Sequence, residues 1–156
     1  MPQKRPPVVP AHYQAFLQMV AYRSMQNVAN ELLATRDLNM TQWVMLGRLC
    51  DNHDGLRVSD LARLLHVEVP LMTMMVQPLL RSGYVMRKRD EYDRRAWRLY
   101  LTATGNKLVQ FVDEQVTKRL RERGALLPPA QLARYAGLLE TLIAHEIERG
   151  TPRGGI

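Results

Sequence analysis

Between Thr41 and Leu101 the spacing of apolar residues changes character once, and that change constrains the fold more than any other feature of the chain. Three short helical stretches come first. Trp43, Leu46, Leu49 and Cys50 mark one; Leu61, Ala62, Leu64 and Leu65 mark the next; residues 69–82 form the third. Thr41 and Ser59 are the predicted N-caps. Asp51 to Gly55, then His66-Val67-Glu68, then Gly83 break the chain between blocks. Pro70 falls in a first helical turn, where its missing N–H is harmless. After Gly83 the period becomes two: Trp97, Leu99 and Leu101 alternate with Ala96, Arg98 and Tyr100. A polar turn, Asp90 to Arg94, separates them from Tyr84-Val85-Met86, which predicts a β-hairpin over residues 84–101.

A helix, a short helix, a tight turn, another helix and a hairpin in that order describe a winged helix-turn-helix, whose second helix enters the major groove of DNA. The flanks are helical. Phe16, Met19, Val20, Ala29, Leu32 and Leu33 predict one helix over residues 12–35. Thr102 caps the next, about residues 103–124, with Leu108, Val109, Val112, Val116 and Leu120 on one face. Pro128-Pro129 restarts the chain, and Leu132, Tyr135, Ala136, Leu139, Leu142, Ile143 and Ile147 form a stripe in the last helix. The expected fold is mainly α with a small β-hairpin wing. Its parts are a disordered basic arm (1–10), an N-terminal dimerisation helix (11–37), a winged helix-turn-helix (38–101), C-terminal dimerisation helices (102–149) and a flexible tail (150–156). Long helices at both ends of a 156-residue chain predict packing against a second copy.

Charge points to the partner. The chain carries a formal net charge of +7. Residues 81–98 alone hold seven cations, Arg81, Arg87, Lys88, Arg89, Arg94, Arg95 and Arg98, against Asp90, Glu91 and Asp93. Such a patch releases counterions from double-stranded DNA and gives salt-sensitive affinity. Other classes fall away. There is no Ser/His/Asp grouping and no Gly-rich phosphate loop, so the chain reads as no enzyme. His12, His53, His66 and His145 are scattered, and no metal or cofactor is expected. One cysteine excludes a disulfide framework and fits a reducing cytoplasm. No apolar run approaches the ~20 residues that span a bilayer, and the first residues carry no apolar leader.

Ser59-Asp60-Leu61-Ala62, Thr73, Val76, Leu79, Gly83-Tyr84-Val85, Arg87, Asp93-Arg94-Arg95, Leu99 and Leu101-Thr102 with Gly105 together resemble the MarR family of bacterial regulators. The resemblance covers roughly residues 38–120 and is most specific in the Asp-x-Arg wing followed by Leu-Thr-x-x-Gly. It implies a homodimeric transcriptional regulator, read here as a repressor, on a pseudo-palindromic operator. It implies that Arg95 reaches the minor groove and that Asp93 orients it. Expected DNA contacts are Leu71, Thr73, Met74, Gln77 and Arg81 on the fourth helix, then Arg87, Lys88, Arg89, Asp93, Arg94 and Arg95 on the wing.

The fourth helix departs from the family pattern because its groove face is largely apolar, and Pro78 interrupts its hydrogen-bond ladder. With Met72, Met75, Val76 and Leu79 inward, only Thr73 and Gln77 can bond a base edge. The same face fits a second reading, a protein-interaction module with weak or lost DNA binding; steep salt dependence separates the two. The resemblance also implies release by a small aromatic or anionic effector. Tyr13, Phe16, Arg23 and Trp43 are the candidates to hold it. The family's peroxide-sensing branch uses a cysteine in the first helix, which this chain lacks; Cys50 reads as inert.

Overall fold

The computed structural model describes residues 9–148. Residues 1–8 of the expected basic arm (1–10) and the expected tail at 150–156 lie outside them. The order is α1 (Ala11–Leu33), a 3₁₀ turn (Ala34–Arg36), α2 (Met40–Cys50), β1 (Leu56–Arg57), α3 (Val58–Leu64), α4 (Val69–Arg81), β2 (Val85–Arg89), β3 (Trp97–Leu101), α5 (Ala103–Glu122) and α6 (Pro129–Glu148).

Two local expectations are corrected, and one strand is added. The cap of α2 is Asn39, not Thr41: the Asn39 side chain accepts from the Gln42 amide at 2.9 Å, and the Gln42 side chain accepts from the Asn39 amide at 3.1 Å. This reciprocal pair satisfies two end donors, which a lone threonine hydroxyl cannot do. Ser59 is no cap either; α3 starts at Val58, behind Arg57, which offers no capping bond. The expected hairpin forms from β2 and β3, and a strand that was not expected joins it. β1 pairs with β3, giving an antiparallel sheet of order β1-β3-β2. Leu56 lies opposite Leu99 and Arg57 opposite Arg98. Two residues are too few for a period to show, so the strand exists only through its partner.

The core gathers the inner faces of α1 to α5 and of the sheet; among the described residues neither the 3₁₀ turn nor α6 contributes a buried side chain. Leu46, Leu61, Met72, Leu79, Val85 and Leu99 meet Val112 and Val116 of α5 and Val28 and Leu33 of α1. Only the second half of α1 takes part: Val28, Ala29, Leu32 and Leu33 are buried, whereas every residue from Ala11 to Met25 is exposed. Glu31 fastens that half to Arg119 of α5 at 2.7 Å and to Arg123, just past its end, at 3.1 Å. The described apolar side chains of α6 remain largely uncovered, Leu138 and Leu142 among them. Gln42 is buried, and its amide reaches the Met75 carbonyl at 3.4 Å, bracing α2 against α4.

Candidate nucleic-acid interface

The inward face of α4 holds Met72, Val76 and Leu79, with Met75 half-buried. Its outward face presents Pro70, Leu71, Thr73, Met74 and Gln77, as the helical period requires. Leu71 is 47% and Met74 70% exposed. The helix runs on through Pro78 to Arg81. That proline removes the N–H that would meet the Met74 carbonyl. His66, in the left-handed region at φ 52°, turns the chain from α3 into α4.

The wing is organised around one buried carboxylate. Asp90, which follows β2, is 1% exposed. Its Oδ2 accepts from Arg98 Nε at 2.7 Å and from Arg57 Nε at 3.0 Å. Its Oδ1 accepts the backbone N–H groups of Tyr92 at 2.9 Å and Asp93 at 3.0 Å. Arg98 also donates to the Gly55 carbonyl at 2.9 Å. The hydrogen bond from Arg57 is the main reason that the Asp90 carboxyl is held well below the ordinary carboxylate range; burial opposes it, and Arg98 and the two amides assist. Four donors on one carboxylate make the turn at the wing tip a fixed shape, tied to β3 through Arg98 and to β1 through Arg57.

Exposed cations surround this anchor. Arg87 and Arg89 lie over the Trp97 ring, at 4.6 and 4.1 Å from its centroid. Lys88 lies over Tyr100 at 5.1 Å on the opposite face, as strand alternation demands. Arg89 also donates to the Arg94 carbonyl at 2.9 Å, closing the turn. These stacks hold the guanidinium groups in place without neutralising them. Among the described residues none of Arg81, Arg87, Lys88, Arg89, Arg94 and Arg95 forms an ion pair. The expected fork between Asp93 and Arg95 takes another form. Asp93 Oδ1 accepts the backbone N–H of Arg95 at 3.0 Å, and its other oxygen lies 4.0 Å from Arg57. Asp93 therefore fixes the backbone that carries Arg95, not its guanidinium.

Asp90, Arg57 and Arg98 as an anchoring set escaped the sequence reading. Asp90 and Arg98 were legible only as charges in a patch. Arg57 carried no signal beyond a cation next to a short helix.

The effector candidates are not gathered in one place. Tyr13 and Phe16 stack at 6.1 Å between centroids on the exposed half of α1, which also carries Arg23. Trp43 belongs to α2, and its indole N–H donates to Asp113 of α5 at 3.0 Å. Burial raises the pKa of Asp113, against the Trp43 hydrogen bond. The cleft there, about 300 Å³, is lined by Trp43, Val44, Arg48, Cys50, Asp51, Val109 and Asp113, with none of the three α1 candidates. The Cys50 thiol is half-buried and donates to Asn106 at 3.3 Å. Among the described residues no three His, Cys, Asp or Glu side chains cluster as metal ligands would, and no helix is long and apolar enough to cross a membrane.

Residues 38–97 match the sequence model of the MarR family. Two Bacillus subtilis (strain 168) proteins are similar. The uncharacterized HTH-type transcriptional regulator YpoP is 26% identical over 121 residues, which span 78% of this chain and 84% of YpoP. The uncharacterized HTH-type transcriptional regulator YfiV is 33% identical over 103 residues, 65% of this chain and 64% of YfiV. Among solved structures, a MarR transcriptional regulator from Methanosarcina mazei superposes with a TM-score of 0.74 at 22% identity, covering 89% of this chain and 99% of that one. CouR from Rhodococcus jostii, bound to p-coumaroyl-CoA, gives 0.71 at 19% identity, with 83% and 90% covered. A mutant MarR from E. coli complexed with operator DNA gives 0.66 at 21% identity, with 82% and 91% covered. The structural likenesses show a shared fold.

Proposed function

We propose, from the premise that this chain belongs to the MarR family of transcriptional regulators, that it works as a homodimeric repressor on a pseudo-palindromic operator. The observation that carries the reading is the wing tip. Asp90 holds a rigid turn whose cations, Arg94 and Arg95 foremost, are exposed and unpaired among the described residues. A cationic projection of fixed shape suits the minor groove, where a narrow A·T tract concentrates negative potential. The outward face of α4 would then lie in the adjacent major groove.

Two unburied apolar stripes support the dimer. One is the first half of α1, with Tyr13, Phe16, Leu17 and Val20; the other is α6, with Leu138, Leu142 and Ile143. Apolar surface of this extent is rarely left uncovered in a soluble monomer. A two-fold axis through these arms would place two α4 helices about one DNA turn apart, roughly 34 Å or ~10 bp. Leu138→Glu with Leu142→Glu is expected to yield a folded monomer in sedimentation that no longer binds operator. Folding should survive because no described side chain of α6 belongs to the buried core. A variant that stays dimeric would move the interface elsewhere.

An effector held by Tyr13, Phe16 and Arg23 would sit on the dimerising half of α1, where the second copy completes the site. A small aromatic carboxylate taken there would shift the distance between the two α4 helices and release DNA. Fluorescence anisotropy of a labelled operator, titrated with a panel of aromatic carboxylates, measures that release.

The reading is tested by selecting bound duplexes from a random library with the full chain. Recovery of an inverted repeat is expected. Arg95→Ala should then weaken binding by about 1–3 kcal/mol, some five- to 150-fold, and lower the salt slope by about one ion, with the dimer intact. Unchanged affinity would remove the wing from the interface.

A further inference from the structure

Between Val69 and Leu80 α4 has no charged side chain. Its outward face offers Leu71 and Met74, both exposed, with Thr73 and Gln77 beside them. The Thr73 hydroxyl donates to the Val69 carbonyl at 2.9 Å, which leaves its oxygen to a base only as an acceptor. Gln77 is then the one side chain of this group free to donate as well as accept. Guanine is ordinarily read at O6 and N7 by Arg or Lys, and cytosine at its amino group by Asp or Glu. Residues 69–80 supply none of these. The major-groove feature that an apolar side chain does recognise is the 5-methyl group of thymine. The one cation of α4, Arg81, is its last residue, and attraction to phosphate is left to it and to the wing cations Arg87, Lys88, Arg94 and Arg95. The helix can therefore be apolar without costing the protein its grip on DNA.

We infer that α4 reads its half-site through thymine methyl groups, which Leu71 and Met74 contact, with Gln77 on a neighbouring adenine. This rests on the operator-binding reading of α4 above. It makes the preferred half-site rich in thymine on the strand facing the helix. Leu71 and Met74 become specificity-determining residues, although they make no hydrogen bond.

The experiment uses the full chain and duplexes recovered from the random library. Each half-site thymine is replaced singly by deoxyuridine, which keeps every hydrogen-bonding group and removes only the methyl. Binding should weaken about fourfold at the positions under Leu71 and Met74, the equivalent of ~0.8 kcal/mol for one buried methyl-sized group. In Met74→Ala the penalty should vanish at one of these positions and persist at the other; Leu71→Ala should show the reverse. Both side chains are exposed, so both variants should melt as the parent does. Uracil penalties identical in all three proteins would trace the effect to DNA shape and overturn the inference. Affinity indifferent to uracil would overturn it too, with operator binding still standing. A library that yields no preferred sequence would sink the operator-binding reading itself, and this inference with it.

Discussion

Asp90→Ala is expected to weaken operator binding at least about tenfold, one charged contact's worth or more, although Asp90 itself faces inward. The substitution strips four partners at once: the Arg57 and Arg98 side chains and the amides of Tyr92 and Asp93. Two guanidinium groups would be left side by side without their counter-charge, and two N–H groups would lose their acceptor. The tip should lose its fixed shape, and Arg94 and Arg95 would have to be ordered anew on every encounter with DNA. Asp90→Asn separates the two jobs. Its amide oxygen can still accept from the turn amides, as Asn commonly does in such turns, but it carries no charge for the arginines. Binding by Asp90→Asn should fall between the parent and Asp90→Ala. If Asp90→Ala bound operator as the parent does, the wing would not need its anchor.

The same site predicts a pH dependence of stability. The Asp90 carboxyl titrates below its ordinary value of 3.8 in the folded chain, chiefly because of the Arg57 hydrogen bond. A lowered carboxylate pKa stabilises the fold above that ordinary value and loses the effect as pH falls through the folded one. The melting temperatures of the parent and Asp90→Asn should therefore differ most near neutral pH. The gap should narrow as the medium is acidified below about 4. A gap that widened in acid would contradict the assigned partners.

Gly105→Ala should be the most destabilising single-methyl change at any described glycine within a helix. A Cβ at Gly105 would run into the Tyr84 carbonyl oxygen and come within 2.7 Å of Leu101 Cδ1. The first of these is backbone, so no rotamer change relieves it. Around that oxygen the chain is already fixed: the Thr102 hydroxyl donates to the Gly83 carbonyl at 2.7 Å and caps α5 through the Gly105 amide at 3.1 Å. The start of α5 is thus pressed against the loop that joins α4 to β2. Overpacking of this kind costs about 1–3 kcal/mol, and near the upper end it lowers Tm by roughly 5–10 °C in a domain of this size. Gly47→Ala is the control. Nothing lies within 4 Å of its added methyl, and it sits inside α2, so it should be neutral or gain up to ~1 kcal/mol. Equal melting temperatures for the two variants would mean that the Tyr84 contact yields without cost.

Much of the fold was legible because it is written in local periods. The helical spacing of Leu108, Val109, Val112, Val116 and Leu120 fixes which face of α5 is buried, and that face is buried. Alternation from Ala96 to Leu101 fixes β3 as a strand, and the glycine after α4 fixes where that helix stops, with Gly83 at φ 72°. Thr102, just ahead of the helical run 103–124, is the expected cap, and the structure shows it accepting from Gly105. Periods of 3.6 and 2 report which face of an element is apolar, and that pattern is carried within the element itself.

What tertiary structure decided is everything that needs two distant segments in register. Arg57, Asp90 and Arg98 meet because β1 lies beside β3 with Arg57 opposite Arg98, and because Asp90 follows β2 at the same end of the sheet. No spacing rule links residues 33 positions apart, and β1 is too short to show a period of its own. Asp93 illustrates the same limit: its identity suggested a partner for Arg95, but the turn turned its carboxylate onto the Arg95 backbone. The sequence determined which faces are apolar and where the cations lie. The pairing of strands determined which of those cations are consumed in holding the wing and which are left exposed.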